Sequence, residues 1–201
     1  MMLLEAMNAG FAKPFADDAE DGDYILNPNA RDALRGQNLR DAAVLIPIVQ
    51  HAGAPSVILT LRSANLRKHT GQIAFPGGAI DAGDSSAIDA ALREAEEEIG
   101  LPRNIPQVLG QLPDYVSGSG FRIKPVVALV PSNHQLKINT DEVEEAFEVP
   151  LAFLMNPQNH IRSSLEWRGQ ERFYYEMPYQ RHRIWGVTAG IIRAFYERVF
   201  V

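Results

Sequence analysis

Three carboxylates, Glu94, Glu97 and Glu98, stand at three- and four-residue spacing in the segment Arg93-Glu94-Ala95-Glu96-Glu97-Glu98-Ile99-Gly100. On a helix turning about 100° per residue, such steps bring side chains onto one side. A solvated acidic face is the bland explanation and is weighed first. Two objections reduce it. Glu94 and Glu98 repel at i, i+4 with no Lys or Arg four residues from either, and both lie in the last turns, where the helix dipole disfavours negative charge. An external cation resolves both. Carboxylate ligation suits a hard ion such as Mg²⁺ or Mn²⁺, which takes substrate phosphate oxygens as further ligands and supports hydrolysis of phosphoanhydrides. Arg93, with Asp89 and Glu97 at four-residue spacing, is expected to orient carboxylates.

The element that must carry these groups is punctuated at both ends. Ser86 with Asp89 three residues on is a variant capping box, and Gly100 and Pro102 are stop signals, so a helix is expected over 87–99. Ile88, Ala91, Leu92, Ala95 and Ile99 form its buried stripe. Gly77 and Gly78 permit a sharp backbone path before it.

In front lies a loop with Arg62, Arg67, Lys68 and His69. It suits a phosphate-rich substrate, since arginine grips phosphate oxygens in a bidentate manner, and it equally suits an ordinary exposed basic loop.

Gly78 followed by Arg93-Glu94-Ala95-Glu96-Glu97-Glu98-Ile99-Gly100-Leu101 resembles the Nudix box. Every position of its Arg-Glu-apolar-x-Glu-Glu-x-Gly-apolar tail matches. One extra residue lies between Gly78 and Arg93, and Asp84 or Ser85 stands where the box has an upstream Glu, so no role is carried to that position. The resemblance implies a Nudix-type α/β/α sandwich with a mixed β-sheet, and hydrolysis of a nucleoside diphosphate linked to another moiety, with Glu94, Glu97 and Glu98 holding divalent cations. Glu97 is the candidate general base.

Residues 58–78 further resemble the coenzyme A pyrophosphatase branch of that family: Leu-Leu-Thr-x-Arg-Ser, three residues, Arg, three residues, Gly, three residues, Phe-Pro-Gly-Gly, with Ile58 at the first Leu. Ser119-Gly120-Phe121 and Arg183-Ile184-Trp185-Gly186 look like that branch as well. This implies cleavage of coenzyme A or its derivatives to 4′-phosphopantetheine and adenosine 3′,5′-bisphosphate. Arg62, Ser63, Arg67, His69, Gly71, Phe75, Gly77 and Gly78 are then substrate-binding candidates as a group. A Nudix enzyme acting on ADP-ribose, NADH or another nucleoside diphosphate derivative is the alternative. A non-catalytic Nudix-like binding module is a third reading, one that would tolerate loss of the acidic residues.

The rest of the chain supplies the frame. With 201 residues, 46 % of them hydrophobic, one domain over 41–201 and an N-terminal extension over 1–40 are expected. Residues 13–40 read as a solvated acidic leader with a short helix near 31–35. Residues 42–49 and 57–62 read as a strand pair, with further strands at 108–112, 123–130 and 145–149 and an edge strand at 173–175. Apolar spacing over 185–200 predicts a packed helix, which completes an α/β fold. The acidic run 141–145 is a second cluster, read as a solvated rim ahead of a metal contact. Trp167, Phe173, Tyr174, Tyr175 and Tyr179 read as packing or a homodimer contact in preference to an adenine platform. The absence of Cys excludes thiol chemistry and Cys-ligated metals. A net charge of −6 argues against nucleic-acid partners. No run approaches the roughly 20 apolar residues of a membrane span, so a cytoplasmic protein is expected.

Overall fold

The computed structural model describes residues 2–12, 19–30, 38–64, 71–167 and 169–201. Helix α1 (Met2–Ala12) and strand β1 (Glu20–Gly22) precede β2 (Arg40–Gln50) and β3 (Ser56–Arg62). Two short strands, β4 (Ile73–Ala74) and β5 (Gly77–Ala79), lead into α2 (Ala87–Ile99). Then come β6 (Gln107–Gln111), β7 (Asp114–Val116), β8 (Phe121–Pro131), β9 (Val143–Pro150) and the single turn α3 (Leu151–Leu154). Strands β10 (Ile161–Trp167), β11 (Gln170–Tyr179) and β12 (His182–Trp185) and helix α4 (Val187–Phe200) complete the chain.

The layers follow from the two-residue period of the central strands. In β2, Ala43, Leu45 and Val49 point to the side where α2 packs with Ala91, Ala95 and Ile99. Ala42, Ile46 and Ile48 point to the opposite side, against Met7 of α1 and Ile191, Ile192 and Phe195 of α4. A strand buried on both faces reads as a continuous apolar run, as 42–49 does. Helices on both faces of one large mixed sheet make the expected α/β/α sandwich.

The strand pair expected from 42–49 and 57–62 is shorter than the sequence suggests. β2 and β3 pair only at Ile48↔Val57 and Val49↔Ser56, and then fork. The returning chain crosses the gap: β4 pairs with β3 at Thr60 and Leu61, and β5 pairs with β2 at Ala42–Val44. Midway, the Leu45 amide donates to the Pro76 carbonyl at 2.8 Å. The fork therefore lays Gly77 and Gly78 across the sheet beside α2. On its far side, β2 pairs in parallel with β8 along its whole length, from Arg40↔Phe121 to Gln50↔Pro131.

Two expectations are corrected at the periphery. Residues 173–175 lie in the central strand of a separate three-stranded sheet, ordered β10-β11-β12, and not at an edge. The acidic stretch before residue 24 is not simply solvated either. β1 pairs in parallel with β7, Tyr24 is buried, and the Asp23 carboxylate accepts from Tyr115 Oη at 2.7 Å and the Gly118 amide at 2.7 Å. Burial pushes the Asp23 carboxyl upward, against those two hydrogen bonds. The helix expected near 31–35 lies outside the described residues. Among the described residues no helix is long and apolar enough to cross a membrane.

Candidate active site

Helix α2 spans the residues its sequence signals demand. Ser86 Oγ accepts from the Asp89 amide at 3.1 Å, an N-cap bond, and Asp89 Oδ2 accepts from the Ser85 amide at 3.0 Å. Gly100 ends the helix in the left-handed conformation, φ 66°, where a side chain would be strained. A Cβ there would also lie 2.8 Å from Lys137 Cβ. That contact marks where the 137–142 segment wraps the helix end: the Lys137 amide donates to the Ile99 carbonyl at 2.8 Å and the Asn139 amide to the Glu98 carbonyl at 2.9 Å. Carbonyls left unpaired at a helix terminus thus find partners. The same wrap brings Glu142 to the acidic end of α2.

Arg93 is the hub of the helix's polar side. Its Nε and Nη2 donate to Asp84 Oδ1 and Oδ2 at 2.8 and 3.0 Å, a bidentate pair. Its Nη1 donates to Glu94 Oε1 and Glu97 Oε2, both at 2.9 Å, and Nη2 also reaches the Ala79 carbonyl. Of the two acidic residues at four-residue spacing from Arg93, Glu97 is a partner, whereas Asp89 serves Ser85 and Arg103 and Asp84 takes its place. Asp84, to which the sequence assigned no role, is 3 % exposed. The hydrogen bonds from Arg93 hold its carboxyl down at about 2. The same pairing, with Asp84 foremost, raises the Arg93 guanidinium further above its already basic range.

These contacts revise the argument from unpaired charge. Glu94 and Glu97 share Arg93, and Arg62 Nη1 lies 3.4 Å from Glu98 Oε1, so tertiary partners exist that helical spacing does not show. An acidic excess nevertheless remains. Glu98 is 2 % exposed, with one further bond, from the Gly77 amide at 3.2 Å. Burial pushes its carboxyl up to about 7; Arg62 and Gly77 oppose the rise, and the charges of Glu94 and Glu142 add to it. Burial likewise raises Glu94, with Glu97 and Glu142 adding to the effect. Glu142, from the run read as a solvated rim, therefore belongs to the same electrostatic cluster. Its signal in sequence was only the acidic composition of 141–145.

The donor set is all oxygen, which fits a hard divalent cation. No group of three His, Asp or Glu side chains among the described residues is already assembled as a metal cage. Glu94 and Glu97 turn toward Arg93 and Glu98 toward Gly77, so the carboxylates are adjacent without being converged. Gly78 packs directly under Glu94: a Cβ there would lie 2.6 Å from Glu94 Cδ. A Cβ on Gly77 would press on the Ala43 carbonyl and lie 2.7 Å from Val44 Cα. Gly77 is therefore required by close approach to backbone, whereas a side chain at Gly78 would displace the Glu94 carboxylate.

The other substrate candidates separate. Arg62 reaches the carboxylates, and its backbone closes the base of the loop that follows: the Arg62 amide donates to the Gln72 carbonyl and the Gly71 amide to the Arg62 carbonyl. Gly71 adopts φ 67° with open space around it. Ser63 is buried, and its amide donates to the Glu142 carbonyl. Phe75 is 3 % exposed and packs in the core on the α4 side of the sheet, which makes it a wedge under the crossing segment. Arg67 and His69 lie outside the described residues.

Known proteins are similar to this chain in sequence and in fold. The NUDIX domain family matches residues 39–167. The chain is 46 % identical over 156 residues to the protein named "Uncharacterized Nudix hydrolase NudL" of Citrobacter koseri, covering 78 % of this chain and 81 % of that one. The protein of that name in Enterobacter sp. (strain 638) is 41 % identical over 170 residues, 84 % and 86 % of the two chains. Among solved structures, the NUDIX domain of Shewanella oneidensis NrtR complexed with ADP ribose superposes with TM-score 0.52 at 18 % identity, over 87 % of this chain and 96 % of that one. A MutT/nudix family protein from Enterococcus faecalis gives 0.51 at 16 % identity, over 98 % and 73 %. At those identities the structural likeness speaks for the fold. Nudix hydrolases in general use divalent metal ions, which the carboxylates at the end of α2 fit. With the domain match covering well over half of the chain and relatives above 40 % identity along most of it, the protein belongs to the NUDIX family and is a Nudix hydrolase.

Proposed function

We propose that the protein is a Mg²⁺- or Mn²⁺-dependent pyrophosphatase of coenzyme A and its derivatives, releasing 4′-phosphopantetheine and adenosine 3′,5′-bisphosphate with consumption of one water. The observation that carries this reading is the convergence of both ends of the 62–78 segment on one buried carboxylate. Arg62 approaches Glu98 Oε1, and the Gly77 amide donates to Glu98 Oε2. Between them in the sequence stand the basic residues Arg67, Lys68 and His69, in the segment whose two described ends meet at Glu98. A substrate with a pyrophosphate and a further 3′-phosphate offers more anionic charge than one cation site neutralises, and added guanidinium groups match that excess.

In this reading Glu94, Glu97 and Glu98 hold the cation. When bound, it neutralises charge on the pyrophosphate and acidifies water. Arg93 keeps Glu94 and Glu97 aligned through single oxygens of each. Glu97, 51 % exposed, accepts the proton of the attacking water. Arg62, with Arg67 and His69, grips phosphate oxygens, while Gly77 and Gly78 let the crossing segment pack closely against β2 and Glu94. The test is product analysis after incubation with coenzyme A, with Mg²⁺ or Mn²⁺ and with chelator. Adenosine 3′,5′-bisphosphate appearing only with metal supports the reading; no cleavage of coenzyme A in any metal contradicts it.

A further inference from the structure

The second sheet has one closed flank and one open one. On the flank of β11 facing away from β10, Asn27 clamps Phe173 by both backbone groups: Asn27 Nδ2 donates to the Phe173 carbonyl at 2.8 Å and the Phe173 amide donates to Asn27 Oδ1 at 2.9 Å. Among the described residues no such backbone partner lies on the outer flank of β10, which pairs with β11 alone. β10 is regular over seven residues, contains no Pro or Lys, and is exposed along nearly its whole length. Edge strands of monomers are ordinarily blunted by bulges, Pro or charged side chains; the two charges on β10, Arg162 and Glu166, are of opposite sign. Ile161, Leu165 and Trp167 leave 44, 36 and 47 % of their surface exposed on one face of β10.

Antiparallel pairing alternates the direction of the backbone groups. Since the amide and carbonyl of Phe173 face Asn27, its cross-strand neighbour Ser164 directs its own amide and carbonyl outward, as do Arg162 and Glu166. The sequence of β10, Ile161-Arg162-Ser163-Ser164-Leu165-Glu166-Trp167, is self-complementary about Ser164. A second copy laid antiparallel on this edge sets Arg162 against Glu166, Ile161 against Trp167 and Ser163 against Leu165, twice each by symmetry. Arg162 stacks over the Phe173 ring at 4.2 Å.

We infer that the β10 edge is the homodimer interface, two copies joining antiparallel about Ser164 to make one continuous six-stranded sheet. Such a two-fold contact is isologous and closes on itself, so it yields a dimer and no fibre. Outward backbone groups of Arg162, Ser164 and Glu166 pair with those of the second copy, and the Arg162–Glu166 pairs set the register.

The test is sedimentation velocity of the full chain, wild type and charge variants, across the micromolar range. The wild type is expected to be dimeric, Arg162→Glu and Glu166→Arg each to weaken the dimer by about ten-fold or more, and the double exchange R162E/E166R to recover it. Ser164→Cys tests the register independently, since the natural sequence has no Cys. Directly paired Cα atoms about 5.5 Å apart lie within disulfide reach, so mild oxidation should give a covalent dimer, with Ser132→Cys as the control that does not. A monomeric wild type, a dimer indifferent to Arg162→Glu, a double exchange that stays dissociated, or a Ser164→Cys chain that fails to cross-link would each overturn the inference.

Discussion

At the scale of the residue, Glu98 is the most informative group in the molecule. A carboxylate so enclosed, with one amide donor and one long guanidinium contact, is costly to keep charged without a cation. Glu98→Gln keeps its shape and removes the charge. Turnover is expected to fall by roughly 10²–10⁴-fold, while the thermal midpoint in metal-free buffer stays level or rises; unchanged turnover defeats the metal assignment. Asp84 gives a pH-dependent prediction. Its carboxyl titrates near 2 in the folded chain against an ordinary 3.8, so its contribution is present above 3.8 and is lost as pH falls through about 2. The urea midpoint of the wild type should exceed that of Asp84→Asn at pH 5, and the gap should narrow between pH 4 and 2. A gap that stays constant would mean that the Arg93 pairing adds nothing to stability. That Glu94, Glu97 and Glu98 lie side by side was legible because one helix carries them, so spacing alone sets their relative placement. Asp84 and Glu142 were not, because a loop crossing and a wrap around the helix end bring them in.

At the scale of the element, α2 was readable to its last residue. Capping, stop signals and the apolar stripe are all local, and the structure starts and ends the helix where they do. The fork between β2 and β3 was not readable. Period and composition describe a strand but not its partner, and the gap is filled by β4 and β5, strands of two and three residues with no pattern of their own. The consequence of the fork is the contact between Gly78 and Glu94. Gly78→Ala is expected to push the flexible Glu94 carboxylate aside at little cost in stability while raising the metal concentration needed for half-maximal activity. Denaturant unfolding with a metal titration checks both, and an unchanged metal requirement would show that the position of Glu94 does not depend on Gly78.

For the whole molecule, the alternation of apolar strands with amphipathic helices gave an α/β fold, and the α/β/α sandwich was legible through the resemblance to the Nudix box. The small sheet and the ordered N-terminal segment were not, since their strands pair with residues far away in sequence and carry mixed composition. Asp23 joins the N-terminal segment to the β7–β8 turn through Tyr115 and Gly118. Removing a buried acceptor leaves its donors unsatisfied, so Asp23→Ala should cost about 1–3 kcal/mol with little effect on kcat, because these residues lie away from α2. An unaltered urea midpoint would show the N-terminal segment to be energetically detached.

Preference for coenzyme A through its extra phosphate, as proposed above, is tested most directly by kcat/KM for coenzyme A, 3′-dephospho-coenzyme A and ADP-ribose, each with Mg²⁺ and with Mn²⁺. Coenzyme A should be the best of the three, with 3′-dephospho-coenzyme A at least about ten-fold poorer from loss of one charge-assisted phosphate contact. Rapid turnover of ADP-ribose beside inert coenzyme A would contradict the account.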